Sequence, residues 1–542
     1  MSVIQHVNSA VTDVLIVGAG PTGLTLACEL ARRGINSRVI EKSPTPFNGS
    51  RGKGIQPRSL EVFNDLGVAD AVLQAGAKYP LMKLHLPLIG IEWAMIKHRK
   101  QTPDVPFPNT CLIPQWRTEE ILRNRLLELG GEVEWATEAL GITQDAGGVA
   151  VPVLCNGINS TIRARYVVGA DGGRSFVRKQ LGVQFIGTTS QEGRMIVGDV
   201  QVEGLGRNNW HVWPSLRNGI VGLCPLPHTH LFQIMLRVNP SELEPELSER
   251  SIQERWLAIT GNKDIRIHSP VWLSLFRPNV RLVEKYRVGR ALLAGDAAHV
   301  HTPAGAQGLN TGVQDAYNLG WKLALVLQGA PDSLLDTYQE ERMPVAAAVL
   351  EISSELFGSV SKVRIPKLTR GDVERQLQIN YRESSLSQGC GAERTPLLAA
   401  GDRAPDAPCS NRRLGTRTLF DAFKGTHFTV LAFGEKAIEA ARKITAIEGL
   451  VKVVAIRPWH VANDEADDLA DDQLHARMAY GINTTENVAV LVRPDGYIAR
   501  ICTYDWKSGI ERYFSDIGCS TLTQLSQSDS ALPLADRATT DA

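Results

Sequence analysis

Asp13-Val14-Leu15-Ile16-Val17-Gly18-Ala19-Gly20-Pro21-Thr22-Gly23 opens with an apolar run and ends in a glycine-rich turn. The run reads as a buried parallel strand. A helical pattern follows from about Thr22 to Arg33 and stops at Gly34, a residue suited to the left-handed position after a helix. Ser37-Arg38-Val39-Ile40-Glu41 then reads as a second strand, which completes a β-α-β unit. In that setting Gly18 permits the tight turn, Gly20 lets backbone approach a pyrophosphate, and Gly23 lets the helix pack closely on the sheet. Pro21 and Thr22 open the helix, whose free amides and partial positive charge suit a phosphate. Glu41, with Lys42 after it, ends the second strand where a carboxylate can accept from an adenosine ribose. The motif fits a dinucleotide and does not choose between FAD and NAD.

Working outward, the chain has 542 residues, which at roughly 150 per domain predicts three or four domains. Apolar residues make up 43%, and 58 basic residues balance 58 acidic ones, so nothing points to nucleic acid. Eight cysteines without a C-x-x-C pair suggest neither a disulfide framework nor a zinc site, and reduced thiols fit a cytoplasmic setting. The first residues lack a secretory pattern, and no apolar run is long enough to span a membrane.

The pattern predicts an irregular, proline-rich stretch at 78–110, a helix at 118–129, short strands at 132–165 and a buried strand at 166–170. Residues 183–283 read as a mainly antiparallel sheet interrupted by a polar helix at 241–257. Long helices are expected at 313–361, and an α/β module with strands near 429–433, 451–456 and 488–492. The acidic run Asp464-Glu465-Ala466-Asp467-Asp468, with Asp471 and Asp472, reads as a solvated surface.

Two further motifs fall at strand ends. Gly169-Ala170-Asp171-Gly172-Gly173-Arg174-Ser175 precedes a short helix, and Ala294-Gly295-Asp296-Ala297-Ala298-His299 continues into Gly308-Leu309-Asn310 and a long helix. Together with the first glycine motif they make residues 10–350 resemble the class A, para-hydroxybenzoate hydroxylase-type FAD-dependent monooxygenases. The branch indicated is that of the phenol, 3-(3-hydroxyphenyl)propionate and aromatic-polyketide hydroxylases. Ala404-Pro405-Asp406-Ala407-Pro408 and Leu419-Phe420-Asp421 resemble the thioredoxin-like domain appended to phenol-hydroxylase relatives.

The resemblance implies a mixed α/β and α+β fold: a Rossmann-like FAD-binding domain (1–80, 112–182, 284–362) interleaved with a mainly antiparallel substrate-binding sheet domain (81–111, 183–283). A linker (363–403), a thioredoxin-like domain without C-x-x-C (404–520) and a disordered tail (521–542) follow. It implies that Asp296 binds the ribityl chain, that Asp171 and Gly172 position FAD, and that Arg51 and Gln115 contact it. Gly308, Leu309 and Asn310 would lie beside the isoalloxazine, where a helix N-terminus stabilises negative charge, and Pro303 on the substrate side.

NAD(P)H would act as a transient co-substrate without its own glycine fingerprint. A flavin C4a-hydroperoxide would then pass oxygen from O2 to a small phenolic or polycyclic aromatic substrate. His211, Trp213 and Tyr286 are the candidates for a substrate-activating base, against a plain core role. His299 and His301 lack a third ligand for a metal, and none is expected. The C-terminal module is read as structural, supporting a homodimer. Alternatives on the same fold are Baeyer-Villiger oxidation, epoxidation, oxidative decarboxylation and antibiotic inactivation. Others are a flavin oxidoreductase without oxygen insertion and a non-enzymatic FAD-binding protein.

Overall fold

The computed structural model describes residues 11–86, 89–190, 193–215, 219–239, 241–242, 244–302, 307–361, 371–388, 395–444, 449–458 and 465–519. Pro303, Asp464 and the tail 521–542 lie outside them.

The apolar run forms the strand Thr12–Val17, parallel to Ser37–Ile40 on one side and to the second half of Ile158–Gly169 on the other. Ala291–Leu293 adds a further parallel strand beyond Ile158–Gly169. The register pairs Val17 with Ile40 and with Gly169, and Gly169 with Leu293. Four strands therefore end level, and the segments that follow them meet along one edge, where ligands of open α/β sheets bind. The helix Pro21–Ala31 is buried from Gly23 to Leu30. It packs against the helices Gln115–Glu128 and Gly308–Leu327. Gly34 takes φ +70, the left-handed turn expected of it.

A seven-stranded sheet runs in the order Arg266–Phe276, Met195–Glu203, Leu231–Arg237, Gly219–Pro225, Asn209–Ser215, Leu81–His85, Gly90–Trp93. Its last two strands come from the stretch expected to be irregular. Their alternation of Met82 and Leu84 with Lys83 and His85 is a half-buried strand pattern hidden among prolines. The polar helix covering one face spans Glu249–Thr260, later than the sequence suggests. Pro245 disfavours an earlier start, Ser248 caps the N-terminus through Ser251 N, and Gly261 ends it at φ 65. Ile252 and Trp256 of this helix bury Ile196, Val200, Trp213, Val221 and Phe232.

The third unit carries a sheet ordered Gly415–Thr418, Pro408–Asn411, Asp468–Ala470, Val451–Arg457, Phe428–Phe433, Val488–Val492, Ile498–Cys502. Phe428–Phe433 and Val451–Arg457 are parallel across the helix Glu435–Ala441, and an antiparallel hairpin and a final helix Trp506–Asp516 follow, a thioredoxin-like arrangement. The acidic run is not a solvated surface throughout. Asp468 is fully buried and accepts from Arg457, and buried Asp471 caps the helix His475–Tyr480 through Ala476 N and Arg477 N. Burial and the neighbouring Asp471, Asp406 and Asp472 push the Cys409 thiol well up, so it is inert as a nucleophile.

This unit is joined to the first by buried charge. Arg493, in the turn before Ile498–Cys502, bonds Glu341 of the long helix Asp336–Ser361 at 2.6 and 2.9 Å. Lys322 reaches the same carboxylate at 2.7 Å, and Asp495 accepts from Asn318 and Trp321. Removing one member of such a cluster leaves its partners buried and unpaired. Glu341→Ala is expected to destabilise the protein by about 3–5 kcal/mol, measured from the first transition in urea; a loss below about 1 kcal/mol would contradict this assignment.

Candidate active site

Four segments converge at the level strand ends. Gly18 has φ +108, and a Cβ there would meet Ala170 O at 2.5 Å; a Cβ at Gly23 would lie 2.0 Å from Gly18 O. Both glycines are therefore demanded by the packing of the turn. At Gly20 a Cβ would meet nothing within 4 Å. The protein's own packing gives no reason for glycine there. Glu41 Oε2 accepts from Ala19 N at 3.1 Å and Oε1 from Ser43 N at 3.0 Å, which fixes the acid beside the turn, with Lys42 exposed next to it. Gln115 Oε1 accepts from Gly52 N at 2.9 Å, and its Nε2 donates to Glu119 at 2.8 Å. Arg51 is exposed, its guanidinium 4.9 Å from the Phe47 ring centroid.

Asp296 sits exposed in the 3-10 turn Gly295–Ala297, and its carboxylate makes no hydrogen bond or ion pair among the described residues. The turn is held from behind. Asp315 Oδ2 accepts from Gly295 N at 3.0 Å and pairs with His299 Nε2 at 2.6 Å, while Oδ1 accepts from Arg342 Nε at 2.7 Å. The helix Gly308–Leu327 starts beside it. A Cβ at Gly308 would lie 3.0 Å from His301 Nε2, and Leu309 packs over Gly52. Asn310 is buried; its Oδ1 accepts from Gln56 N at 2.7 Å and its Nδ2 donates to Gly54 O at 2.8 Å. Residues 50–56 thus run directly past the N-terminus of this helix.

The other side chains at this edge are engaged within the protein. The Asp171 carboxylate accepts from Ser175 Oγ at 2.5 Å, Phe176 N at 2.6 Å and Val177 N at 3.1 Å, so it caps the helix Phe176–Gln180 and acts on the edge by shaping the turn through Gly172. The Thr22 hydroxyl points to Gly295 and Gly312, where an added Cβ would lie 2.5 and 2.3 Å from it, and leaves only backbone for a phosphate. His299 is consumed by Asp315, and no metal-binding group of three exists among the described residues.

The three candidate bases face elsewhere. Trp213 stacks edge-on to Trp256 under the covering helix, and His211 bonds His85 at 2.9 Å and Gly206 O on that same face. Tyr286 lies fully buried in the core of the first unit against Tyr338. Alternation decides this: odd-numbered positions of Asn209–Ser215 turn to the helix, and Trp210 and Val212 turn to the other face.

That other face carries residues the sequence did not single out. Lys53 bonds Gln233 Oε1 and lies 4.0 Å from the Trp210 ring centroid. Gln233 in turn donates to Ser50 O. Asp199 is buried beside them, and burial pushes its carboxyl up, against the lowering by the polar groups of Trp272 and Ser50 and by the Lys53 charge nearby. This polar seam fastens the sheet to residues 50–56. Arg178 similarly clamps two motifs, donating to Ala297 O and Gly173 O at 2.9 Å each.

With this geometry in view, a model of the FAD binding domain matches residues 11–353, and one of the aromatic-ring hydroxylase C-terminal domain matches residues 398–515. The chain belongs to the FAD-dependent aromatic monooxygenases. It is 44% identical over 503 residues to a flavin-dependent monooxygenase of Mycobacteroides abscessus, covering 90% of this chain and 96% of the relative. It is 32% identical to the 6-methylpretetramide 4-monooxygenase of Streptomyces rimosus, covering 90% of each. The crystal structure of aklavinone-11 hydroxylase with FAD and aklavinone superposes with a TM-score of 0.78 at 27% identity, over 94% of this chain and 99% of that one. The protein is therefore an oxidoreductase whose cofactor is FAD; NAD(P)H is the typical co-substrate of its family. No described helix is long and apolar enough to cross a membrane.

Two outcomes test the FAD edge of this monooxygenase. Gly20→Ala is expected to leave stability within about 0.5 kcal/mol while lowering bound flavin; Gly23→Ala, with no room for its methyl, is expected to destabilise. Flavin content and urea midpoints of the two variants check this. Burial pushes the Glu119 carboxyl up to about 7, against lowering by the Gln115 hydrogen bond and Arg123. In the unfolded chain it titrates near its ordinary value of about 4.5. The folded state thus holds a proton that the unfolded chain has lost, and stability falls as pH rises from about 4.5 to about 7. Glu119→Gln is expected to flatten this slope, with a gain of up to about 3 kcal/mol at pH 7.5; parallel slopes for the two proteins would refute it.

Proposed function

We propose that this monooxygenase hydroxylates a fused-ring phenolic compound with NAD(P)H and O2, on an apolar face that its second sheet turns toward the FAD edge. The observation that carries the reading is one cross-strand row. Val197 opposes Met235, Met235 opposes Gly222, Gly222 opposes Val212, and Val212 opposes Leu84. Directly opposed residues share a face. Here Val197, Met235, Val212 and Leu84 are only half-buried, Gly222 is buried among them, and the neighbouring row ends in the polar seam of Asp199 and Gln233. A broad apolar surface beside a few polar groups suits a flat aromatic body with hydroxyl substituents. The relatives that act on 6-methylpretetramide and aklavinone agree in kind.

In this reading the turn Gly18–Gly23 takes the pyrophosphate, Glu41, Lys42, Arg51 and Gln115 surround the adenosine end, and Asp296 accepts from a ribityl hydroxyl. The N-terminal amides at Gly308, Leu309 and Asn310 would lie beside the isoalloxazine and would favour negative charge on it. FAD supplies the acceptance of hydride and the activation of O2, one oxygen atom going to the ring and the other to water. The protein orients the ring on the sheet and excludes water with the hairpin Leu81–His85 and Gly90–Trp93. The division into an FAD domain, a substrate sheet domain, a linker and a thioredoxin-like domain that supports a homodimer belongs to the same proposal, as does a cytoplasmic location.

The purified protein is expected to be yellow. Fused-ring phenols are expected to stimulate its NAD(P)H oxidation more than monocyclic ones and to give products heavier by one oxygen atom, followed by absorbance at 340 nm and mass spectrometry. Stimulation by no phenol, or release of peroxide alone, would overturn the reading.

A further inference from the structure

A cavity of about 570 Å³ opens between residues 96–110 and 371–375, outside the apolar sheet face. Its volume lies within the ordinary range of small-ligand sites. Four consecutive residues, Lys97-His98-Arg99-Lys100, line one wall, and Arg375 lines another. Asp372 neutralises part of this charge, pairing with Arg99 at 2.6 Å and Arg375 at 3.1 Å. The carboxylate of Glu374 is turned to Gly371 N at 2.9 Å. Lys97 and Lys100 have no ion pair or hydrogen bond among the described residues, and both are exposed. In a chain of formal net charge zero this is a local cationic wall.

The cavity is tied to the flavin side at two points. Gln56, which lines it, is buried; its Oε1 accepts from Thr110 Oγ1 at 2.8 Å, and its backbone N donates to Asn310 at the start of Gly308–Leu327. Gln307, the residue before that helix, donates to Glu374 O at 3.0 Å. The lining residues Gln56 and Glu374 are therefore hydrogen-bonded directly to the start of the helix Gly308–Leu327, the end that the proposed function sets against the flavin.

We infer that this cavity binds the diphosphate of the nicotinamide dinucleotide, with Lys97 and Lys100 as its cationic contacts. The chain has no second glycine fingerprint, so phosphate recognition must come from side chains, and paired ammonium groups beside Arg99 and Arg375 supply it as charge-assisted contacts. The 2′-phosphate of NADPH adds to the same attraction. The inference rests on the proposed use of NAD(P)H.

The test is anaerobic reduction of the FAD-loaded protein by NADPH and by NADH in a stopped-flow spectrophotometer, for wild type and for the double variant Lys97→Glu/Lys100→Glu. The variant is expected to weaken the apparent Kd for NADPH by about tenfold or more. Its limiting rate of flavin reduction and its flavin content are expected to stay at wild-type levels, since neither lysine touches the FAD edge. Raising KCl is expected to weaken NADPH binding in wild type and much less in the variant, and 2′-phospho-ADP-ribose is expected to compete with NADPH only in wild type. An unchanged Kd in the variant, with wild type reduced normally, overturns the cavity and leaves the proposed function standing. A wild-type flavin bleached by dithionite but by neither nucleotide overturns both.

Discussion

Four parallel strands end at the same level, and everything chemical about this protein follows from that register. Val17, Ile40, Gly169 and Leu293 are neighbours across the sheet, so the glycine turn, Glu41, the Asp171 turn and the Asp296 turn are delivered to one edge. A slip of one residue in any strand would turn its apolar side chains to the opposite face and carry its motif away from the others. Because Thr12–Val17, Ala291–Leu293 and the end of Ile158–Gly169 are buried on both faces, their near-continuous apolar sequences hold the register strongly.

The edge is then made rigid by side chains that never meet a ligand. Asp315 draws Gly295, His299 and Arg342 onto one buried carboxylate, whose charged form is favoured by His299 and Arg342 against the burial that opposes it. Arg178 ties the second turn to the third. Thr22 fills the gap that glycines at 295 and 312 leave for it. Farther out, Glu341 and Arg493 lock the C-terminal unit onto the same helices. Buried charges of this kind contribute little net stability when complete and cost much when broken, so they act mainly to hold one arrangement of the units.

Much of the FAD edge was legible in the sequence because its elements are local. Gly18, Gly20 and Gly23 follow a strand and open a helix within a dozen residues, and backbone conformation and close approach demand glycine at two of them. The substrate side was less legible. The strands at Leu81–His85 and Gly90–Trp93 are short and lie among prolines, and they belong to a sheet whose other strands come more than a hundred residues later. His211 and Trp213 look like site residues by type, but alternation sends them to the helix-covered face and gives the open face to Val212. Asp171 is expected from the sequence to position FAD, and only the three donors around its carboxylate show it holding the start of a helix.

The sequence by itself determined the β-α-β unit, the three glycine-acid turns and their order, and through them a flavoprotein of the aromatic monooxygenase family. Those features depend on residues close together along the chain and on backbone conformations that few side chains permit. The tertiary structure decided which face of the second sheet is open, that Lys53, Gln233 and Asp199 form its seam with the FAD edge, and that Lys97 and Lys100 border a cavity behind Gln56. These depend on pairings between distant segments, which are set by packing and by the match of buried polar groups.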